Sequence, residues 1–391
     1  MMSYFIPYSR QWIDEADIKA VQDILQSDYL TQGPAIELFE DAIKQVTGAK
    51  YCVAVSNATQ GLHIAVAALK IEEGAEGITT PITFVASANC LLTNNLIPVF
   101  ADIDPKTYNI FPKEIEKKIT AKTRVIIPVD FAGQAVDIDS IRQIADKHHL
   151  YIVEDAAHAI GSNYIDGKPV GCCHKADMTI FSFHPVKTIT CGEGGAITTN
   201  NELLYKRLLK LRTIGITKNA AELSKNPGPW YYEMQSLSGN YRMTDIQAAL
   251  GCSQLSKLTL FKQRRREIIN RYNTAFMDNP YIITPHEEKN NESCFHLYVL
   301  KIDFEKLGKT RKQVMEELRE KGIGTQVHYI PVNSQPYYKE RYGYKREDYP
   351  ITEDYYDKTL SLPLYPKMND RDIVYVIQHL ATVLEIGKNL K

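Results

Sequence analysis

The stretch FSFHPVKTITCGEGG, residues 181–195, sets one lysine, Lys187, between the β-branched residues Val186 and Thr188, just ahead of a glycine-rich turn. An amine that attacks a carbonyl must be partly deprotonated, and apolar surroundings favour this by disfavouring the ammonium form. Lys187 therefore reads as a Schiff-base lysine, although a surface lysine at a strand end would look the same on this stretch alone. A second element, YIVEDAAHAIGS at residues 151–162, is a short apolar run ending in Glu154 and Asp155. A buried strand delivers a carboxylate in this way at its carboxyl end, where open α/β sheets bind their ligands. Pyridoxal 5'-phosphate, which combines with such a lysine, acts as an electron sink only while its ring nitrogen keeps a proton, and a buried anion holds that proton in place. Asp155 is the candidate for that anion. Either acid could instead cap a helix over the following AAHA.

These residues need a scaffold, and the chain supplies one. Short β-branched runs at residues 51–56, 77–81, 97–103, 124–130, 150–155, 177–183 and 194–200 read as strands, with amphipathic segments such as DSIRQIADKHH between several of them. Such alternation predicts an α/β layered domain with a mainly parallel sheet. Residues 215–235, rich in glycine, proline and polar side chains, read as a long loop, and loops of that length inside a domain are often functional. From Met243 a single long helix is predicted to run through TDIQAALGCSQL into FKQRRREIINRY and to link two domains. Its arginines, Arg264, Arg265 and Arg266, read as a solvated helix face. An extended segment at 294–303, a helix over 310–322 and a closing helix from Arg371 suffice for a small α+β domain. The boundaries expected are 1–255 for the large domain and 256–391 for the small one.

Composition narrows the function classes. The 391 residues carry 46 basic and 47 acidic side chains, a net charge of -1, with no like-charge block. No nucleic-acid partner is expected from that balance. No apolar run approaches the roughly 18 residues of a membrane span, and the first residues lack the apolar core of a signal peptide, so a cytoplasmic protein with no membrane partner is expected. The seven cysteines have no CxxC spacing and predict reduced, structural thiols and no metal site. Cys191, close to Lys187, is the one whose reactivity would matter.

The Asp155 and Lys187 stretches, with LTQGP (residues 30–34), SNATQGLH (56–63), TTPITFVASAN (79–89), GNYRMTDIQAALG (239–251) and VHYIPV (327–332) in order, give the chain a recognisable pattern from residue 4 to residue 368. In these motifs it resembles the fold-type I pyridoxal phosphate enzymes, which are aspartate aminotransferase-like, and within them the DegT/StrS-type sugar-nucleotide aminotransferases. In LTQGP, TPITFVASAN and the histidine of SFHPVKTIT it is similar to the branch of pseudaminic acid biosynthesis. That branch aminates C4 of UDP-2-acetamido-2,6-dideoxy-β-L-arabino-hexos-4-ulose and turns glutamate into 2-oxoglutarate. Another UDP- or dTDP-4-keto-6-deoxy sugar is the alternative substrate.

The resemblance implies a full set of site residues. SNATQGL follows a strand and opens a predicted helix, so the amides of Ala58 and Thr59 would meet the cofactor phosphate at a helix amino terminus, although a simple helix cap would read alike. Ser182 would add a hydroxyl. Asn240 would reach the phosphate from a second subunit, making a homodimer with shared sites. Phe84 would stack on the ring, and His158, placed by the pattern at a helix start, would contact the ring hydroxyl. Lys187 would also carry the proton between substrate carbon and cofactor. The sugar nucleotide would meet Tyr8, Leu30, Thr31, Gln326, Val327, His328 and Tyr329. His184 would touch substrate or support its own loop. A sugar dehydratase of this fold, with histidine for the lysine, is disfavoured by Lys187. A regulatory protein that keeps the fold without turnover is the remaining alternative of a different class.

Overall fold

The structure, a computed structural model, describes residues 4–386. All seven predicted runs form strands: β1 (Tyr51–Val55), β2 (Glu76–Thr79), β3 (Ile97–Phe100), β4 (Thr123–Ile127), β5 (Tyr151–Asp155), β6 (Met178–Ser182) and β7 (Gly195–Thr199). They make one sheet in the order β1-β7-β6-β5-β4-β2-β3. β7 runs antiparallel to β1 and β6, and the other pairings are parallel. Strands in a sheet covered on both faces are apolar on both faces, which is why these runs read as nearly continuous rather than alternating. On one face Ile152 and Phe181 pack with Phe39, Ile43 and Ile141. On the other, Val153, Ile180 and Ile197 pack with Leu62 and Ile64 of the helix Ala58–Leu69.

That helix starts where β1 ends. Asn57 caps it, its side-chain oxygen accepting from the amide of Gln60 at 3.0 Å. The first residue of β7, Gly195, passes beneath the helix start so closely that a Cβ there would lie 2.7 Å from the Ala58 nitrogen. The start of this inner strand and the helix amino terminus are thus in direct backbone contact, which only a residue without a side chain permits.

Short strands β8 (Ile216–Thr217) and β9 (Glu233–Met234) pair at the base of the predicted loop. β10 (Ile282–Ile283), β11 (Tyr298–Ile302) and β12 (Thr359–Leu362) form an antiparallel sheet over a second core that includes Tyr272, Tyr298, Leu300, Leu318 and Val376. The amino-terminal segment belongs to this second layer. Ile6 is buried in its core and exchanges backbone hydrogen bonds with Gly322 and Gly324, both at 2.8 Å.

The single linking helix is not observed. Two helices, Asp245–Leu255 and Leu258–Phe276, are broken at Ser256 and Lys257. The second is shared: Leu258 and Phe261 pack in the first core, and Ile268, Ile269, Tyr272 and Phe276 in the second. The arginines also depart from a solvated face, because the helix lies between the two layers. Arg265 is 1% exposed. Arg266 meets Glu287 and lies over the Phe295 ring, and Arg264 bonds Glu267, Asp370 and the Met368 carbonyl.

The Gly195 contact generates a test. Gly195→Ala is expected to leave a folded protein destabilised by about 1–3 kcal/mol, since the helix start must shift to admit the methyl group. Chemical denaturation measures it, and unchanged stability would show that the helix start yields freely.

Candidate active site

The carboxyl ends of β4, β5 and β6 open into a cavity of about 820 Å³, closed on its far side by residues 326–330 of the second layer. Glu154 and Asp155 are adjacent on β5, so they point to opposite faces of the sheet. Glu154 points away from the cavity and accepts from Tyr164 and from Thr179. Burial pushes its carboxyl up to about 7. Asp155 points into the cavity. One of its oxygens accepts from the Ser87 hydroxyl at 2.6 Å and the other from the Ala157 amide at 3.1 Å. Burial pushes the Asp155 carboxyl up, while Ser87, Ala157 and the charge of Lys187 pull it back. Residues 156–162 form turns, not the helix expected over AAHA. The Ala157 bond closes an Asx-type turn that competes with helix formation.

Lys187 lies in the turn after β6, its amide bonded to the His184 carbonyl at 2.8 Å. Burial lowers its amine to about 8 against the opposing pull of Asp155. The amino-terminal segment braces the same turn, Ser9 donating to the Val186 carbonyl at 3.1 Å. Cys191 is buried, and desolvation raises its thiol well above the ordinary value, so it is a packing residue rather than a reactive one.

Of the residues singled out in the sequence, Lys187, Asp155, Ala58, Thr59, Phe84, His158, Ser182, Tyr8, His184, Gln326, Val327, His328 and Tyr329 all line this cavity. Phe84 is 58% exposed, which rules out core packing and leaves its ring free at the wall. The Tyr8 ring is 5.6 Å from that of His328, whose Nδ1 is 2.8 Å from the Ser361 hydroxyl. Burial drives the His328 imidazole down to about 3, so it is neutral. His184 both lines the cavity and supports the turn carrying Lys187. Leu30, Thr31 and Asn240 do not line it. They are exposed: Thr31 bridges to Thr244, the Leu30 carbonyl accepts from the Asp245 amide, and Asn240 bridges to Thr213.

The sequence reading missed Ser87, the hydroxyl on Asp155, although it lies within the quoted TTPITFVASAN. Its signal was the Thr83 and Ser87 pair four residues apart, whose hydroxyls meet at 2.6 Å. It also missed Glu193, His296 and Gln335 on the cavity wall.

These groups fit pyridoxal phosphate. Helix geometry leaves the amides of Ala58 and Thr59 without intrahelical partners, and the Asn57 cap is already taken by Gln60, so the two amides are available to a phosphate beside Ser182. Asp155 offers a carboxylate, Phe84 an aromatic face and Lys187 an amine. When bound, the cofactor supplies the electron sink that lets an amino group leave one carbon and join another.

An amine with a midpoint near 8 is unprotonated in about one molecule in ten at pH 7, about 300-fold more than an ordinary lysine. Because the reactive form is the free base, cofactor capture by the ligand-free protein should quicken as pH rises to about 8 and then level off. Stopped-flow absorbance measures this, and a rate still climbing tenfold per unit above pH 9 would contradict the lowered midpoint. Lys187→Ala should stay folded and lose transamination altogether.

Known proteins give the cavity its context. The chain is 41% identical to the spore coat polysaccharide biosynthesis protein SpsC of Bacillus subtilis over 98% of each chain. Among solved structures it is similar to Helicobacter pylori PseC, an aminotransferase involved in the biosynthesis of pseudoaminic acid, at 34% identity and TM-score 0.91 over 98% of this chain and 100% of that one. It is also similar to Spr1654 of Streptococcus pneumoniae in its PMP form, at 33% identity and TM-score 0.90 over 97% and 99%. Residues 11–381 match one family along almost the whole length that builds the cavity, and the chain belongs to it: the DegT/DnrJ/EryC1/StrS aminotransferases, pyridoxal phosphate-dependent enzymes that act on sugars.

Proposed function

We propose that the chain transfers the amino group of glutamate to the C4 ketone of UDP-2-acetamido-2,6-dideoxy-β-L-arabino-hexos-4-ulose, the transamination of pseudaminic acid biosynthesis. Glutamate leaves as 2-oxoglutarate and the ketone becomes an amine, so no outside oxidant or reductant is needed. The observation that carries this reading is the likeness to PseC along the full length of both chains, at a TM-score of 0.91. Lys187 holds the cofactor and then moves the proton at the reacting carbon, and Asp155 pairs with the ring nitrogen. Ala58, Thr59 and Ser182 hold the phosphate, and Phe84 covers the ring. Tyr8, His184, Gln326, Val327, His328 and Tyr329 face the sugar nucleotide. The relation to SpsC favours a second reading, another UDP- or dTDP-4-keto-6-deoxy sugar destined for a surface polysaccharide.

The working unit in this reading is a homodimer. Among the described residues lining the cavity, Lys187 is the one lysine or arginine, although a cofactor phosphate and a nucleotide diphosphate must both be held. Leu30, Thr31 and Asn240 are exposed, and so are Trp230 and Tyr232 of the long loop and Leu237 between it and Asn240, at 72%, 53% and 87%. A second copy covering these residues would receive them in its own cavity.

Two measurements test this. Incubation with glutamate and a panel of UDP- and dTDP-4-keto-6-deoxy sugars should give the 4-amino product fastest from the UDP-linked N-acetylated ketosugar, identified by mass and NMR. Preference for another member of the panel would select the second reading. Mixing Lys187→Ala subunits with Asn240→Ala subunits should restore about a quarter of wild-type activity, because random exchange leaves one intact site in each heterodimer. No recovery after verified exchange would mean that each chain holds a complete site.

A further inference from the structure

We propose that His296 is a positioning residue for transamination, acting through His158 on the hydroxyl of Tyr329. This rests on reading the cavity as the cofactor site, and it concerns a histidine that no sequence motif singled out. His296 lies just before β11, is 3% exposed and lines the cavity. Its ring is packed on that of His158, centroids 4.4 Å apart, and its Nδ1 has no hydrogen-bond partner. A buried imidazole nitrogen left unpaired is costly, and here the ring contact with His158 is what the position secures.

The surrounding backbone is arranged to hold this contact. The His296 amide donates to the Ala132 carbonyl at 2.9 Å, and the Ala132 amide donates to His158 Nδ1 at 3.2 Å. Ala132 makes both bonds from a left-handed conformation, φ 57°, which a residue with a Cβ seldom adopts. From the other side Arg265 reaches the carbonyls of Phe295, His296 and Leu364 at 3.2, 3.1 and 3.1 Å. Those acceptors are all carbonyls, so a buried cation is spent on fixing the segment that carries His296.

The proton arrangement follows from these bonds. Nδ1 of His158 accepts from an amide, so in the neutral ring the proton must sit on Nε2. Nε2–H then donates to the Tyr329 oxygen, 3.0 Å away, which leaves the Tyr329 proton free to be donated elsewhere. His158 stays neutral because it is buried and faces Lys187 and His328, and His296 because it is buried and faces His158, Lys187, Arg265 and His328. Removing the His296 ring opens space beside His158, so the imidazole can turn and Tyr329 loses its fixed acceptor role.

A double-mutant cycle on the cofactor-loaded enzyme tests this with His296→Ala, His158→Phe and the pair. The readouts are the pH midpoint of the bound cofactor's visible absorbance and the rate of the half reaction with glutamate alone, neither of which uses the sugar. Thermal melting reports folding. His296→Ala should stay folded, slow the half reaction about tenfold and move the midpoint in the same direction as His158→Phe, with the double variant no worse than His158→Phe. A folded His296→Ala with both readouts at wild-type values, or losses that multiply in the double variant, would overturn the proposal. If His296→Ala does not fold, His296→Gln, which also lacks the ring, takes its place in the same cycle with the same two criteria. A wild-type enzyme that loses no absorbance with glutamate would instead refute the donor reading, leaving the midpoint to judge His296.

Discussion

A carboxylate and an amine buried in the same cavity impose the main constraint on this molecule. Each group prefers water to a low-dielectric interior, and each is pulled toward its neutral form by burial. Asp155 is kept available as an anion by the Ser87 hydroxyl, the Ala157 amide and the nearby lysine. Lys187 is moved the other way, to a midpoint where a free amine is abundant near neutral pH. The parallel strands serve this pair by ending together at one edge of the sheet, with Asp155 closing β5 and Ser182 closing β6. Strand alternation sends the neighbouring acid, Glu154, to the opposite face, where Tyr164 and Thr179 satisfy it.

The rest of the cavity comes from the second layer and from the first residues of the chain. Ile6 pairs with that layer, and the Tyr8 carbonyl accepts from the Leu364 amide at 3.0 Å, so Tyr8 reaches the cavity beside His328. Burial keeps His158, His296 and His328 neutral. The wall they form offers directional hydrogen bonds without adding charge to compete with Asp155 and Lys187. This arrangement suits a reaction in which protons must move at one carbon and nowhere else.

The seven strands were legible because buried strands are short, β-branched and bounded by turns, and the cavity lay where such strands end. Lys187 and Asp155 were legible because both are ionisable groups in apolar runs. Features set by tertiary contacts were not. AAHA has helical composition, yet the Asp155 oxygen captures the Ala157 amide and a turn results. Arg264 to Arg266 look solvated in sequence, but their helix is wedged between two cores, which local charge does not reveal. Ser87 and His296 escaped notice because their importance lies in what they touch, Asp155 and His158, which are distant in the chain.

The central proposal is that Asp155 holds a proton on the cofactor's ring nitrogen. Reconstituting the ligand-free protein with ring-¹⁵N-labelled pyridoxal phosphate and recording the ¹⁵N shift near pH 8 tests it directly. A shift in the pyridinium range, lost in Asp155→Asn, is the expected result. A neutral pyridine shift in the wild-type enzyme, or a pyridinium that survives the substitution, would show that the buried carboxylate does not play this part.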